Sequence, residues 1–202
     1  MKRKKAQHPA TESRRRDIIL AALACFSEIG FSETSMEDIR KRSGASTGSI
    51  YHHFKGKEQL AAELYMEGIR SYQEGFIVAL AGCEDNAEKG IRAIVSHHVQ
   101  WIVEHTEWSR YLFQKRHSVF MATAEEEIAS LNREFSGRLS PFFLRYVKDK
   151  KIRMLPADIT ISLMLGPCME FTRQYLSGQA VTSPERAIDH LSRSIMKSLS
   201  CD

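Results

Sequence analysis

Between Gly30 and Lys57 the chain has room only for short helices, and this spacing constrains the fold more than any other feature. Thr34-Ser35 supplies hydroxyls that can cap free backbone N–H groups. Glu37 and Asp38 follow where a positive helix end favours acid, and Gly44 is placed to stop the helix. Ser46 can cap a third helix through about Phe54, and Lys55-Gly56-Lys57 turns into a long fourth one. Ahead of them, Ile19, Ala22, Leu23 and Phe26 recur at helical spacing within a helix from about Ser13 to Ile29, which Gly30 is suited to end. Two short helices joined by a turn around Gly44-Ala45 have the layout of a helix-turn-helix, whose second helix can enter the major groove of DNA.

Downstream the helical period continues at greater length. Leu60, Leu64, Tyr72, Phe76 and Leu80 step by fours, and Ile91, Ile94, Val95, His98 and Ile102 share a face of a helix over Ala87 to His105. Ile128, Leu131, Phe135, Phe142 and Tyr146 mark another helix, expected to be interrupted near Pro141. Residues Asp158 to Leu176 are apolar nearly all round. Ser183-Pro184 then offers a cap and an N-terminal proline ahead of the stripe Ile188, Leu191, Ile195 and Leu199. With only 5 Pro and 11 Gly in 202 residues, little interrupts helices, and the expected fold is all-α. The expected domains are a flexible basic arm over 1–13, the three-helix unit with its helix-turn-helix over 14–56, and a larger helical domain over 57–202.

Within Ser46 to Phe54, Ile50 and Phe54 stand four apart and should face a core, leaving Thr47, Gly48, Tyr51 and His52 outward. Ser46 and Thr47 can donate to phosphates or base edges, Gly48 lets backbones approach, and Tyr51 can donate its phenol to a phosphate. Lys55 and Lys57 can add charged phosphate contacts. With Ser35 and His53 these residues form the candidate DNA-contacting set. Charge placement agrees: residues 1–57 hold 12 Lys and Arg against 6 Asp and Glu, whereas the remainder holds 17 against 19.

The motif from Gly30 to Leu60 resembles the DNA-binding domain of the tetracycline-repressor (TetR) family. The resemblance rests on Gly30-Phe31, Thr34-Ser35, Asp38-Ile39, Gly44, Ser46, Gly48-Ser49-Ile50-Tyr51-His52-His53-Phe54 and Lys57-Glu58-Gln59-Leu60. Arg40 and Ser43 depart from it, standing where the family usually has Ala. The resemblance implies a dimeric, ligand-responsive regulator, more often a repressor, that binds a palindromic double-stranded DNA operator as a homodimer. It also implies that the helices after Lys57 bind an effector and dimerise.

For the larger domain the expectations are coarser. A mainly apolar effector site would draw on Trp101, Phe113, Met164 and Phe171, with Tyr72 or His98 as a polar handle, and residues of about 158–199 would form the two-fold interface. His97, His98 and His105, with Glu104, invite a metal or hydrolase reading. No acidic ligand cluster or Gly-rich phosphate loop completes such a site, so neither metal, cofactor nor catalysis is expected, and an enzyme built on these histidines stands as the alternative. Cys25, Cys83, Cys168 and Cys201 lie far apart without a C-x-x-C pair, a pattern that fits neither a zinc site nor a secreted disulfide framework, and they read as reduced thiols. The apolar run around Ile161 to Met169 is too short to span a bilayer, and the basic start opens no signal peptide, so a cytoplasmic location without membrane contact is expected.

Overall fold

The computed structural model describes residues 9–115 and 124–201, and among them the secondary structure is helical throughout. The helices are α1 (Pro9–Glu28), α2 (Met36–Ser43), α3 (Thr47–His53), α4 (Lys57–Leu80), α5 (Ala87–Glu104), α6 (Thr106–Lys115), α7 (Glu125–Lys148), α8 (Ala157–Leu176) and α9 (Pro184–Leu199). They fall into two compact units. The first comprises Met1–Gly68 with Arg110–Glu126, and the second comprises Ile69–Ser109 with Glu127–Asp202.

The first unit is built around α1, whose Ile18, Ile19, Ala22, Leu23 and Phe26 are buried with Ile39 of α2, Ile50 of α3, Phe54, and Leu60, Ala61 and Leu64 of α4. Its short helices start and stop where the side chains dictate. Ser35 and Asp38 form a reciprocal capping box at α2, Gly44 ends that helix at a left-handed φ of 64°, and Ser46 accepts from the Ser49 amide to open α3. α1 begins at Pro9, so residues 9–13, expected within an arm, form its first turns; residues 1–8 lie outside the described part. The sequence reading overlooked α6, which brings Tyr111 into this unit: its ring stacks on Phe26 at 6.0 Å and its hydroxyl donates to the Ala61 carbonyl at 2.8 Å.

The second unit closes over a core that includes Phe76, Leu80, Ile91, Ile94, Val95, Val99, Tyr146, Met164, Cys168, Ile188 and Ile195. Gly75 and Gly90 are the positions where absence of a side chain matters here. A Cβ on Gly75 would lie 2.0 Å from the His97 imidazole, and one on Gly90 would lie 2.3 Å from the Tyr146 hydroxyl, which donates to the Cys83 carbonyl at 2.6 Å. α7 runs through Pro141 without the expected interruption. Proline removes the amide that would have served the Gly137 carbonyl four residues back, and the Ser140 hydroxyl donates to that carbonyl instead, at 3.5 Å.

The two C-terminal helices differ in what they leave uncovered. In α9, Ile188, Ile195 and Leu199 are buried in the unit's own core, so that stripe is not free for a partner. α8 buries Met164, Cys168 and Thr172 but keeps Ile159, Ile161 and Met169 exposed.

Candidate nucleic-acid interface

α3 divides cleanly between two environments. Ile50 and the C-cap residue Phe54 are sunk in the core, whereas Ser46, Thr47, Gly48, Tyr51 and His52 are exposed. Tyr51 keeps 52% of its surface open, so its ring faces outward as the spacing of Ile50 and Phe54 predicts. Ser35 and Lys55 are also exposed. His53 is half-buried against the His52 and Phe54 rings, with centroids at 5.3 and 6.1 Å. Burial, then His52 and Arg15, hold the His53 imidazole below the ordinary histidine range.

The helix is braced from both neighbours. At the turn, the Arg40 guanidinium donates twice to Glu37, at 2.7 and 2.8 Å, and once to the Ala45 carbonyl at 3.3 Å, so Arg40 acts within the protein. Ser43 donates to the Arg40 carbonyl at 3.1 Å. Behind α3, Arg15 lies over the Phe54 ring at 5.7 Å and reaches Glu63 and Glu67 of α4 at 2.6 and 3.2 Å.

Lys57 departs from expectation. It reads from the sequence as an exposed phosphate contact. In the structure its ammonium donates to the carbonyls of Phe31, Ser32 and Thr34 at 2.8, 3.1 and 2.8 Å, and sits 4.7 Å from the Phe31 ring centroid. An ammonium has three protons, and all three have carbonyl partners. Its distance in sequence from that loop, more than twenty residues, hides this role from any local reading.

The effector candidates are only partly brought together. Tyr72, His98, Trp101, Met164 and Phe171 belong to the second unit, but Phe113 belongs to the first and is 43% exposed. Tyr72 and His98 hold each other: the Tyr72 hydroxyl and His98 Nδ1 are 2.6 Å apart, and His98 Nε2 lies 3.4 Å from the Thr172 hydroxyl. Thr172 in turn donates to the Cys168 carbonyl at 3.0 Å, so the consistent assignment has Tyr72 donating to Nδ1 and Nε2–H donating to Thr172. Burial of His98, with His97 beside it, pushes its pKa down to about 4 and keeps the ring neutral. Burial likewise drives the Tyr72 phenol up and the Cys168 thiol up to about 12.

The histidines that suggested an enzyme are each engaged by the protein. His97 Nε2 is 2.8 Å from the Tyr72 carbonyl, and His105 Nδ1 is 2.9 Å from the Trp101 carbonyl, its ring stacked on Trp101 at 4.7 Å. Among the described residues, no three His, Cys, Asp or Glu side chains converge as a metal site, and no helix is long and apolar enough to cross a membrane.

With this geometry established, comparison with known proteins places the chain. Residues 18–64 match the family described as bacterial regulatory proteins, tetR family. The HTH-type transcriptional regulator AcrR of Shigella flexneri is 30% identical over 181 residues, covering 87% of this chain and 80% of that protein. The chain belongs to the TetR family. Another relative, the HTH-type transcriptional repressor KstR2 of Mycobacterium tuberculosis (strain CDC 1551 / Oshkosh), is 29% identical over 113 residues, or 52% of this chain. That match spans 56% of the repressor's own length. The fold is shared across the chain with a TetR family transcription regulator from Marinobacter aquaeolei VT8, at a TM-score of 0.77 and 18% identity over 96% of this chain and 98% of that one. The family's motif thus falls on the first unit, where α2 and α3 lie.

Proposed function

We propose that this TetR-family chain is a transcriptional regulator, most simply a repressor, that binds a palindromic operator in double-stranded DNA as a homodimer and is released by a small molecule. The observation that carries this reading is the division of α3: Ile50 and Phe54 are anchored in the core, while Ser46, Thr47, Gly48, Tyr51 and His52 stand exposed. Ser35, His53 and Lys55 join them at the flanks. Segment 14–56 would serve as the reading head and 57–202 as the effector and dimerisation part, working in the cytoplasm.

Two-fold pairing is supported by α8, which leaves the apolar side chains Ile159, Ile161 and Met169 exposed, and a second copy would cover part of this surface. Paired heads would then reach half-sites about 34 Å apart or slightly more. An effector with an apolar body would enter beside Trp101, Met164 and Phe171, and the Tyr72–His98 pair would give it a polar handle. Because binding free energies are linked, operator must weaken effector binding by the same factor as effector weakens operator binding.

Selection of fragments from the source genome by the purified protein tests the core of this reading. A small set of fragments sharing an inverted repeat is expected, and Tyr51→Phe should weaken their binding while leaving the melting temperature in place. Retention of all fragments alike, or none, would refute sequence-specific regulation.

A further inference from the structure

A helix-turn-helix presents its second helix correctly only if both ends of the pair are held. One end is the turn, closed by Gly44 in its left-handed conformation and by the Arg40 bond to the Ala45 carbonyl. The other consists of the start of α2 and the end of α3, which the chain itself leaves unlinked. Lys57 is the residue that joins them. It is the first residue of α4 and follows closely on Phe54, the C-cap of α3, while its ammonium grips the loop directly ahead of Ser35, the N-cap of α2.

We propose that Lys57 is a positioning residue for DNA docking, closing the open end of the helix-turn-helix through the Phe31, Ser32 and Thr34 carbonyls rather than neutralising a phosphate. The proposal rests on the DNA-binding reading of the head. The loop is already ordered from its own side, since the buried Thr34 donates its hydroxyl to the Gly30 carbonyl at 2.6 Å and its amide to the same carbonyl at 3.2 Å. Lys57 fixes that ordered loop against α4. A phosphate could recruit this ammonium only by breaking its bonds to these three carbonyls, whereas Lys55, nearby and exposed, is free to turn outward. The Phe31 ring beside the ammonium further favours the inward position.

The two roles predict different salt dependence. A phosphate contact contributes about 0.9 to the slope of log affinity against log salt, and a positioning residue contributes nothing to it. The experiment compares wild type, Lys57→Met and Lys57→Gln in the full chain, on a DNA fragment that wild type retains. Binding is measured across a salt series, and amide hydrogen exchange across residues 34–38 without DNA.

Lys57→Met is expected to weaken binding by about ten-fold, a typical coupling-sized loss, at a temperature where the melt shows it folded, with an unchanged salt slope. Exchange at 34–38 should quicken while the rest of the head holds. Lys57→Gln, uncharged but still able to donate, should recover most of the affinity and keep the slope. A slope reduced in both variants would overturn the proposal in favour of a phosphate contact, and unchanged affinity in Lys57→Met would overturn it outright. Should wild type retain no DNA, the DNA-binding reading falls by itself. Exchange then decides the matter for Lys57: unchanged protection at 34–38 overturns the tie, and faster exchange upholds it.

Discussion

The two units place their polar contacts differently. In the first, the contacts that start and stop the short helices join close neighbours in the chain, Ser35 with Asp38, Ser46 with Ser49, Arg40 with Glu37 and Thr34 with Gly30, while Arg15, Lys57 and Tyr111 tie distant segments around them. In the second, the decisive contacts join distant segments, with Tyr72 to His98 separated by 26 residues, Tyr146 to Cys83 by 63 and Thr172 to His98 by 74. The first arrangement specifies short helices and their ends, keeping one face free for a partner. The second specifies how long helices pack, and it takes titratable groups out of water to do so.

If the head owes its presentation to a small shared core beneath local caps, loss of one anchor should be severe. Phe54→Ala removes a buried ring that also carries Arg15, and should cost about 3–5 kcal/mol. Thermal melts should show the loss, and DNA binding should vanish with it. A loss below 1 kcal/mol would mean that caps alone hold α3.

The buried histidine of the second unit gives the next largest effect, and it appears as a pH dependence. An unfolded histidine takes up its proton near 6.5, whereas His98 in the fold stays neutral down to about 4. Above 6.5 both states are neutral at this site and its contribution to stability is complete. As pH falls from 6.5 towards 4 the unfolded chain binds the proton first, and stability is lost, by up to about 3 kcal/mol for a gap of this size. Urea unfolding of wild type and His98→Asn over this range should show a steeper decline in wild type. Equal slopes would mean that the ring is not held neutral.

Tyr72→Phe sharpens the same point by leaving His98 Nδ1 without its donor, at a cost of about 1–3 kcal/mol. His98 should then protonate at higher pH, because a hydrogen bond favouring the neutral ring is gone, and its NMR titration would report this. The smallest effect belongs to the head's local chemistry. Ser46→Ala removes one cap and should cost about 1 kcal/mol by melting, without changing the pH dependence that His98 confers.

This contrast also explains what could be read in the sequence. Gly30, Ser35, Gly44, Ser46 and Ser183-Pro184 mark helix ends through interactions within a few residues, and the structure places helix ends at each. The outward face of α3 follows from the spacing of Ile50 and Phe54 alone. Lys57 was legible as a basic residue beside the motif, but not as the partner of three carbonyls far upstream. His98 was legible on an apolar stripe, yet its partners come from α4 and α8 and carry no mark of it. α6 was missed because one residue, His105, separates it from α5, with neither Gly nor Pro to signal the break. Pro141 misled in the other direction, because a neighbouring hydroxyl serves the carbonyl that proline leaves open.

Tyr111 has a consequence for how the molecule is made. Its ring covers Phe26 and its hydroxyl binds the Ala61 carbonyl, so the first unit draws a structural piece from beyond the stretch that encodes its helix-turn-helix. A ribosome releasing residues 1–68 has not yet supplied that piece, and the nascent head must wait for α5 and the start of α6 to emerge before its apolar side is covered. A chain cut short before Tyr111 would lack both the ring that stacks on Phe26 and the hydroxyl that serves the Ala61 carbonyl, and is expected to be more open to proteolysis on that side of the head.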